Sequence, residues 1–182
     1  SFGKREADVV GFYGQNGSGK TAVVDAFSLL KTLLYSFSLP ANKQKLIYYN
    51  EQNIELQFEF IITNSFGEYF VKYNVVLQEG TEKLRVIGED LYYKENVVGK
   101  RYKEIISKMG KNISIRNKKM NAFSDMNRVS MMVADRMAEE NATSFVFRKE
   151  LMDVCEGFLS EEELEIIKNL RQDFNRDFHV ID

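Results

Sequence analysis

Tyr13-Gly14-Gln15-Asn16-Gly17-Ser18-Gly19-Lys20-Thr21 decides how this chain is read. From Gly14 it matches the pattern G-x-x-x-x-G-K-[ST] in full, which chance would supply in on the order of one chain in a hundred of this length. The residues before it, Asp8-Val9-Val10-Gly11-Phe12-Tyr13, form a short apolar run that stops at Gly14, as a buried strand does when it feeds a glycine turn. After Lys20 the period changes. Val23, Val24, Phe27, Leu30, Leu34 and Phe37 recur at three- and four-residue steps, which predicts a helix over about 19–37, stopped by Pro40.

Strand, glycine loop and helix in that order are the context a phosphate loop needs. Gly14, Gly17 and Gly19 permit positive φ and let backbone N–H groups approach phosphate oxygens with no Cβ in the way. The helix opening near Gly19 adds free amides and the positive end of its dipole. The expected nucleotide-binding residues are Gly14, Gln15, Asn16, Gly17, Ser18, Gly19, Lys20, Thr21 and Ala22, with the amides of Asn16 to Thr21 cradling the phosphates. Lys20 serves as the catalytic point charge on the β- and γ-phosphates, and the Thr21 hydroxyl as a ligand for Mg²⁺. The expected cofactors are ATP and Mg²⁺.

Further along, the period becomes two. Ile54, Leu56, Phe58, Phe60 and Ile62 alternate with Glu55, Gln57 and Glu59. Asn64-Ser65-Phe66-Gly67 supplies a turn, and Tyr69, Val71, Tyr73, Val75 and Leu77 return. Leu84 to Tyr93 reads as a third strand and residues 45–50 as a fourth. Tight turns make these antiparallel, whereas the opening strand is expected in a parallel or mixed sheet. The last third is helical. Met126, Val129, Met132, Val133 and Met137 form one stripe, expected in the core rather than in a partner-binding groove. Phe147, Leu151, Val154, Cys155 and Phe158 form another. Ser160-Glu161-Glu162-Glu163 is a capping box with Leu159 and Leu164 as its staple, and Leu164, Ile167, Leu170 and Phe174 continue that helix's apolar face.

Composition bounds the rest. The 182 residues, 44% of them hydrophobic, suffice for one domain with a core, and a net charge of −2 marks neither a general nucleic-acid binder nor an acidic tail. The single cysteine, Cys155, excludes an internal disulfide and a multi-cysteine zinc site, and reads as a small core residue. No apolar run approaches the roughly 20 residues of a membrane span, and a reducing cytoplasm is the expected setting. Residues 94–120 hold nine basic residues (Lys94, Lys100, Arg101, Lys103, Lys108, Lys111, Arg116, Lys118, Lys119) against two acidic, a local net of +7. That segment is either a nucleic-acid contact or a solvated loop with lysines guarding a sheet edge. His179, the only histidine, reads as an ordinary strand residue.

The string from Tyr13 to Thr21, followed by Asp25-Ala26, resembles ABC-type ATPase heads of the SMC and RecF kind. It is most similar to stand-alone bacterial ATPases related to OLD nucleases and abortive-infection proteins. The resemblance implies an α/β fold of α+β character: a P-loop NTPase lobe with an antiparallel β-layer (residues 46–116) and a C-terminal helical insertion (residues 124–176). It implies the division 1–120, P-loop lobe with β-layer, and 121–182, helical region ending in a short strand before a missing second lobe. It also implies a homodimer of heads, with a DNA or protein partner. The family's signature segment, its Q-loop glutamine and its Asp-Glu strand are not matched, and Phe178-His179-Val180-Ile181-Asp182 reads as a plain strand. Binding without efficient turnover is therefore expected of the isolated chain, hydrolysis needing the second lobe. A small P-loop phosphotransferase and a nucleotide-gated protein-binding module remain the alternatives. Phe2, Lys4 and Arg5 occupy the region where related heads contact the base.

Overall fold

A computed structural model describes the backbone over residues 7–13, 19–41 and 53–173, and side chains over 25–41 and 53–172. The expectations for 2–5, 45–50, 174 and 178–182 lie outside the described residues. Among those described, the order is β1 (Ala7–Tyr13), α1 (Gly19–Leu34), β2 (Asn53–Asn64), β3 (Gly67–Glu79), β4 (Leu84–Glu95), β5 (Lys103–Met109), β6 (Asn112–Ile115) and β7 (Lys118–Lys119). A 3₁₀ turn (Met120–Ala122) then leads to α2 (Asp125–Asn141), α3 (Lys149–Cys155) and α4 (Glu161–Asp173).

The strands form one seven-stranded sheet in sequence order, antiparallel at every pairing. This corrects the parallel or mixed setting expected for β1, which pairs antiparallel with β2 from Ala7↔Ile62 to Tyr13↔Gln57. The reason is chain length. The 18 residues between α1 and β2 are chain enough to span the ~24 Å of α1, so Gln57, in the first half of β2, lies level with Tyr13 and the strand runs back along β1.

One face of the sheet is buried. Phe58, Phe60, Ile62, Val71, Tyr73, Val75 and Leu77 point to it, two residues apart as the pleat requires. They share a single core with Ala26, Leu29, Leu30, Leu33 and Leu34 of α1 and with the helices after Ser124. The change from strands to helices near residue 120 is therefore no gap in the core. The stripe on α1 is shifted from the expected one: Leu30 and Leu34 are buried, but Phe37 lies beyond the helix and is 59% exposed.

Pro40 does not stop α1; Ser36 does. Its φ of +53° is left-handed, and the N–H groups of Ser36 and Phe37 donate to the carbonyls of Leu33 and Thr32. That is the Schellman pattern, which closes a helix at Leu34. Pro40 instead accepts from Leu84 N–H at 3.2 Å, while Leu39 N–H donates to Ala142 O at 2.7 Å. The segment after α1 thereby joins β4 to the end of α2.

Two bulges reverse which residues of β4 and β5 face the core. Leu77 pairs with Val86 but Val76 with Gly88, leaving Ile87 extra. Leu91 pairs with Ile106 but Tyr92 with Glu104, leaving Ile105 extra. Each extra residue flips the alternation. As a result Glu89 and Lys108, directly opposite one another, both turn inward and are 1% and 2% exposed.

Helix α2 also differs from expectation. Its buried residues are Met131, Ala134, Asp135 and Ala138, while Met126, Val129, Met132 and Val133 are exposed. The alanines let α2 pack closely, so the small-residue side faces inward and the bulky stripe faces solvent. Elsewhere the sequence pattern holds. Phe147, Leu151, Val154 and Cys155 are buried, and Phe158 packs partly buried against the core. The capping box forms reciprocally: Glu163 N–H donates to Ser160 Oγ at 3.2 Å, and Ser160 N–H to Glu163 Oε2 at 2.9 Å.

Candidate functional site

The phosphate-loop motif falls between two fixed elements. β1 ends at Tyr13 and α1 begins at Gly19, leaving residues 14–18 as the link. Those five lie outside the described residues, as do the side chains of Gly19, Lys20, Thr21 and Ala22. The backbone of Gly19, Lys20, Thr21 and Ala22 is the first turn of α1, whose amides have no partner inside the helix. The same turn contains no acidic residue, so nothing there competes with an anion at the positive end of the dipole. Both ends of the link are anchored. β1 is laddered to β2, and α1 is held by five buried side chains and its Schellman close. A strand end and a helix start held this way are suited to an anionic ligand at the amides of the first turn.

Level with Tyr13, the sheet's other face carries a polar row in register: Gln57, Asn74, Asp90, Ser107 and Ser114. Ser107 Oγ donates to Asp90 Oδ1 at 2.5 Å, Gln57 Nε2 donates to Glu59 at 3.0 Å, and the buried Asn74 Oδ1 has no partner. The row was missed in the sequence because it exists only through strand register, which single-strand alternation does not reveal.

The basic segment 94–120 is dispersed by the fold. Lys100 pairs with Glu95 (3.0 Å), Lys108 with Asp135 (2.8 Å), Lys111 with Asp135 and Glu139 (2.9 and 2.7 Å), and Arg116 with Glu163 (3.5 Å). Lys94 lies over the rings of Phe70 and Tyr102, and Lys118 over Phe123 and Phe158. Lys118 and Lys119 make up the short, exposed edge strand β7, where lysines oppose further strand pairing. Four of the nine cations are therefore neutralised within the chain, and the segment forms no continuous basic face.

The helical layer is held by two buried carboxylates. Glu89 accepts from Tyr73 Oη and Ser144 Oγ (both 2.5 Å) and from the N–H groups of Phe145 (2.8 Å) and Val146 (3.2 Å). Burial raises its pKa above the ordinary glutamate value, and those donors only partly oppose the rise. Burial pushes Asp135 the same way, but hydrogen bonds and charge from Lys108 and Lys111 outweigh it and hold the carboxyl below the usual range. Cys155 is buried, and burial pushes its thiol up to about 12.

The family model described as AAA domain matches residues 2–179, nearly the whole chain and both sides of the phosphate loop. The chain belongs to the AAA-domain family. For an AAA domain, nucleotide binding of the ATPase type is the function the match indicates, and the mixed α/β architecture above agrees with it. No curated protein and no solved structure matches this AAA domain. Among the described residues no helix is long and apolar enough to cross a membrane.

Proposed function

We propose that this AAA domain binds Mg-ATP through residues 14–22, as the N-terminal part of an ABC/SMC-like ATPase. The observation that supports the reading is the anchored step from β1 at Tyr13 to α1 at Gly19, spanned by a complete phosphate-loop motif. The amides of Asn16 to Thr21 cradle the phosphates, Lys20 holds the β- and γ-oxygens, and Thr21 ligates magnesium. Magnesium supplies charge neutralisation across the bridged phosphates. Hydrolysis needs a carboxylate for the metal and a group to position water, which a second lobe and a second head supply. The division into a P-loop lobe with its β-layer (1–120) and a helical region (121–182) belongs to the same proposal.

Titrating Mg-ATP against the chain tests this directly. Tight binding with negligible turnover is expected, and Lys20→Ala should abolish it. Unchanged affinity in Lys20→Ala would sink the site, and phosphate transfer to an added acceptor would replace the reading with a phosphotransferase.

A further inference from the structure

Four residues other than glycine hold a left-handed φ among those described. Arg116 and Asn117 make the turn between β6 and β7. The other two, Ser36 (+53°) and Ala142 (+51°), close the helices α1 and α2. Both closures are strained, because an L-residue there brings its Cβ against the following carbonyl. Strain of this kind persists only where surrounding contacts over-determine it, and it clusters at switch regions.

The contacts that hold these two closures join them to each other. Ser38 Oγ donates to Asn141 O at 2.8 Å, and Leu39 N–H to Ala142 O at 2.7 Å. The last carbonyls of α2, which a helix leaves without internal partners, therefore end on the segment leaving α1. Lys83 Nζ donates to Ser38 Oγ at 2.8 Å, Leu84 N–H to Pro40 O at 3.2 Å, and Leu39 is buried. Residues 38–40 thus form a strap that fastens the end of α1 to the end of α2 and to β4. Just past Ala142, the amides of Phe145 and Val146 end on Glu89.

The strap and the phosphate loop stand at opposite ends of α1, a 16-residue helix ~24 Å long. A helix of this length moves as a rigid element, so freedom at its far end loosens the aim of the amides of Gly19 to Ala22. A left-handed residue has a discrete alternative in the right-handed well, which gives each closure two states. A ligand that needs the first-turn amides fixed binds the strapped state better and draws the equilibrium toward it.

We propose that the strap is a nucleotide-linked latch. Mg-ATP at the phosphate loop tightens the Ser38–Asn141 and Leu39–Ala142 bonds, and occupancy is felt through them at the end of α2 and at Phe145 and Val146. This rests on the phosphate-site reading above and adds to it a transmitting element whose residues touch neither phosphate nor metal.

Amide hydrogen exchange of the 182-residue chain, with and without Mg-ATP, tests the latch. At a hundredfold excess of Mg-ATP over Kd the Leu39, Phe145 and Val146 amides should slow at least about tenfold. The β5–β6 hairpin, which the strap does not touch, should slow less. Ser38→Ala removes one strap bond at an exposed position and should speed Leu39 exchange about twofold to tenfold without nucleotide. Ala142→Gly relieves the left-handed closure and should slow it. Two glycines inserted between Phe37 and Ser38 slacken the strap, so Mg-ATP should still bind but no longer protect Phe145 and Val146. Binding with no change at Leu39, equal slowing at the hairpin, or full protection of Phe145 and Val146 in the insertion variant would overturn the latch and leave the phosphate site standing. A wild-type chain that binds no Mg-ATP would remove both.

Discussion

Glu89 and Lys108 stand directly opposite each other on the core face of β4 and β5, yet each is satisfied by a different part of the helical layer. Lys108 reaches Asp135 of α2 at 2.8 Å, and Glu89 takes the hydroxyl of Ser144 and the amides of Phe145 and Val146 before α3. Two neighbouring buried charges thus fasten two successive helical elements to the sheet. The segment they enclose, Thr143 to Phe147, is buried throughout, and its backbone donors at 145 and 146 end on Glu89 instead of water. This fixes the helices over the same sheet face that α1 covers.

Asp135→Asn should be the most damaging of the conservative changes. It leaves the 2%-exposed Lys108 ammonium without its counter-charge, and breaking one side of a buried pair costs about 3–5 kcal/mol. Because the folded Asp135 carboxyl titrates below its ordinary value of about 3.9, its contribution is present above that pH and fades as pH falls through the lower, folded value. Urea denaturation of wild type and Asp135→Asn should therefore differ by a constant amount near neutrality and converge in acid. A gap that stays constant as pH is lowered through the acid range would contradict the ion-pair account.

Glu89 has the opposite sign. Its folded pKa is raised, so the folded state holds the proton more tightly than the unfolded chain. Its favourable contribution is complete below about 4.3 and is lost as pH climbs through the folded value. Glu89→Gln removes that titration. Its carbonyl can take the two backbone amides, and its NH₂ can donate to the oxygens of Tyr73 and Ser144, whose hydroxyls rotate. The stability of wild type relative to Glu89→Gln should decline from pH 4 upward and then level. Glu89→Ala should be several kcal/mol worse than Glu89→Gln, since it orphans two buried amides.

What the sequence disclosed follows from how local each signal is. The link between β1 and α1, the β2–β3 hairpin, the capping box at Ser160 and the core cysteine depend on residues within a few positions of each other. The hairpin, the capping box and the buried cysteine are present as read, and so are β1 and α1 on either side of the phosphate-loop motif, whose residues 14–18 lie outside the described set. The bulges at Ile87 and Ile105 were illegible because alternation counted from Leu84 or Lys103 places Glu89 and Lys108 on the wrong face. The Met126–Met137 stripe misled for a related reason. Periodicity identifies the bulky side of a helix, but α2 packs through Ala134 and Ala138, and only the fold shows which side is covered. The polar row from Gln57 to Ser114 likewise needs five strands in register before it exists.

Ser36→Gly should stabilise the domain. Ser36 holds a left-handed φ of +53°, which costs an L-residue roughly 1–2 kcal/mol, and its hydroxyl is buried without a partner. Glycine recovers this, less its own loss of backbone freedom of about 0.5–1 kcal/mol. A net gain near 1 kcal/mol corresponds to a Tm rise of roughly 2–4 °C for a domain of this size. Calorimetry showing no rise would mean that the Schellman close at Leu34 is not what ends α1.

Cys155 should be silent to thiol reagents until the chain unfolds. The thiolate is the reactive form, and burial holds this thiol up near 12, so its population at pH 8 is negligible. The labelling rate should then track opening of the α3 region, and Asp135→Asn should accelerate it along with its loss of stability. Rapid labelling of the native wild type would place Cys155 at the surface.

Thr21→Ala separates the metal from the phosphates. In the proposed site the loop amides and the Lys20 charge act on the triphosphate whether or not magnesium is present, whereas the Thr21 hydroxyl acts only through the metal. In EDTA, wild type and Thr21→Ala should bind ATP alike. With Mg²⁺ added, wild type alone should tighten. Because bound ligand stabilises by RT ln(1 + [L]/Kd), about 2.7 kcal/mol at a hundredfold excess over Kd, the difference is readable as thermal protection by Mg-ATP. Equal tightening of both proteins by magnesium would show that the Thr21 hydroxyl is not its ligand, even if Lys20→Ala had already located the phosphates.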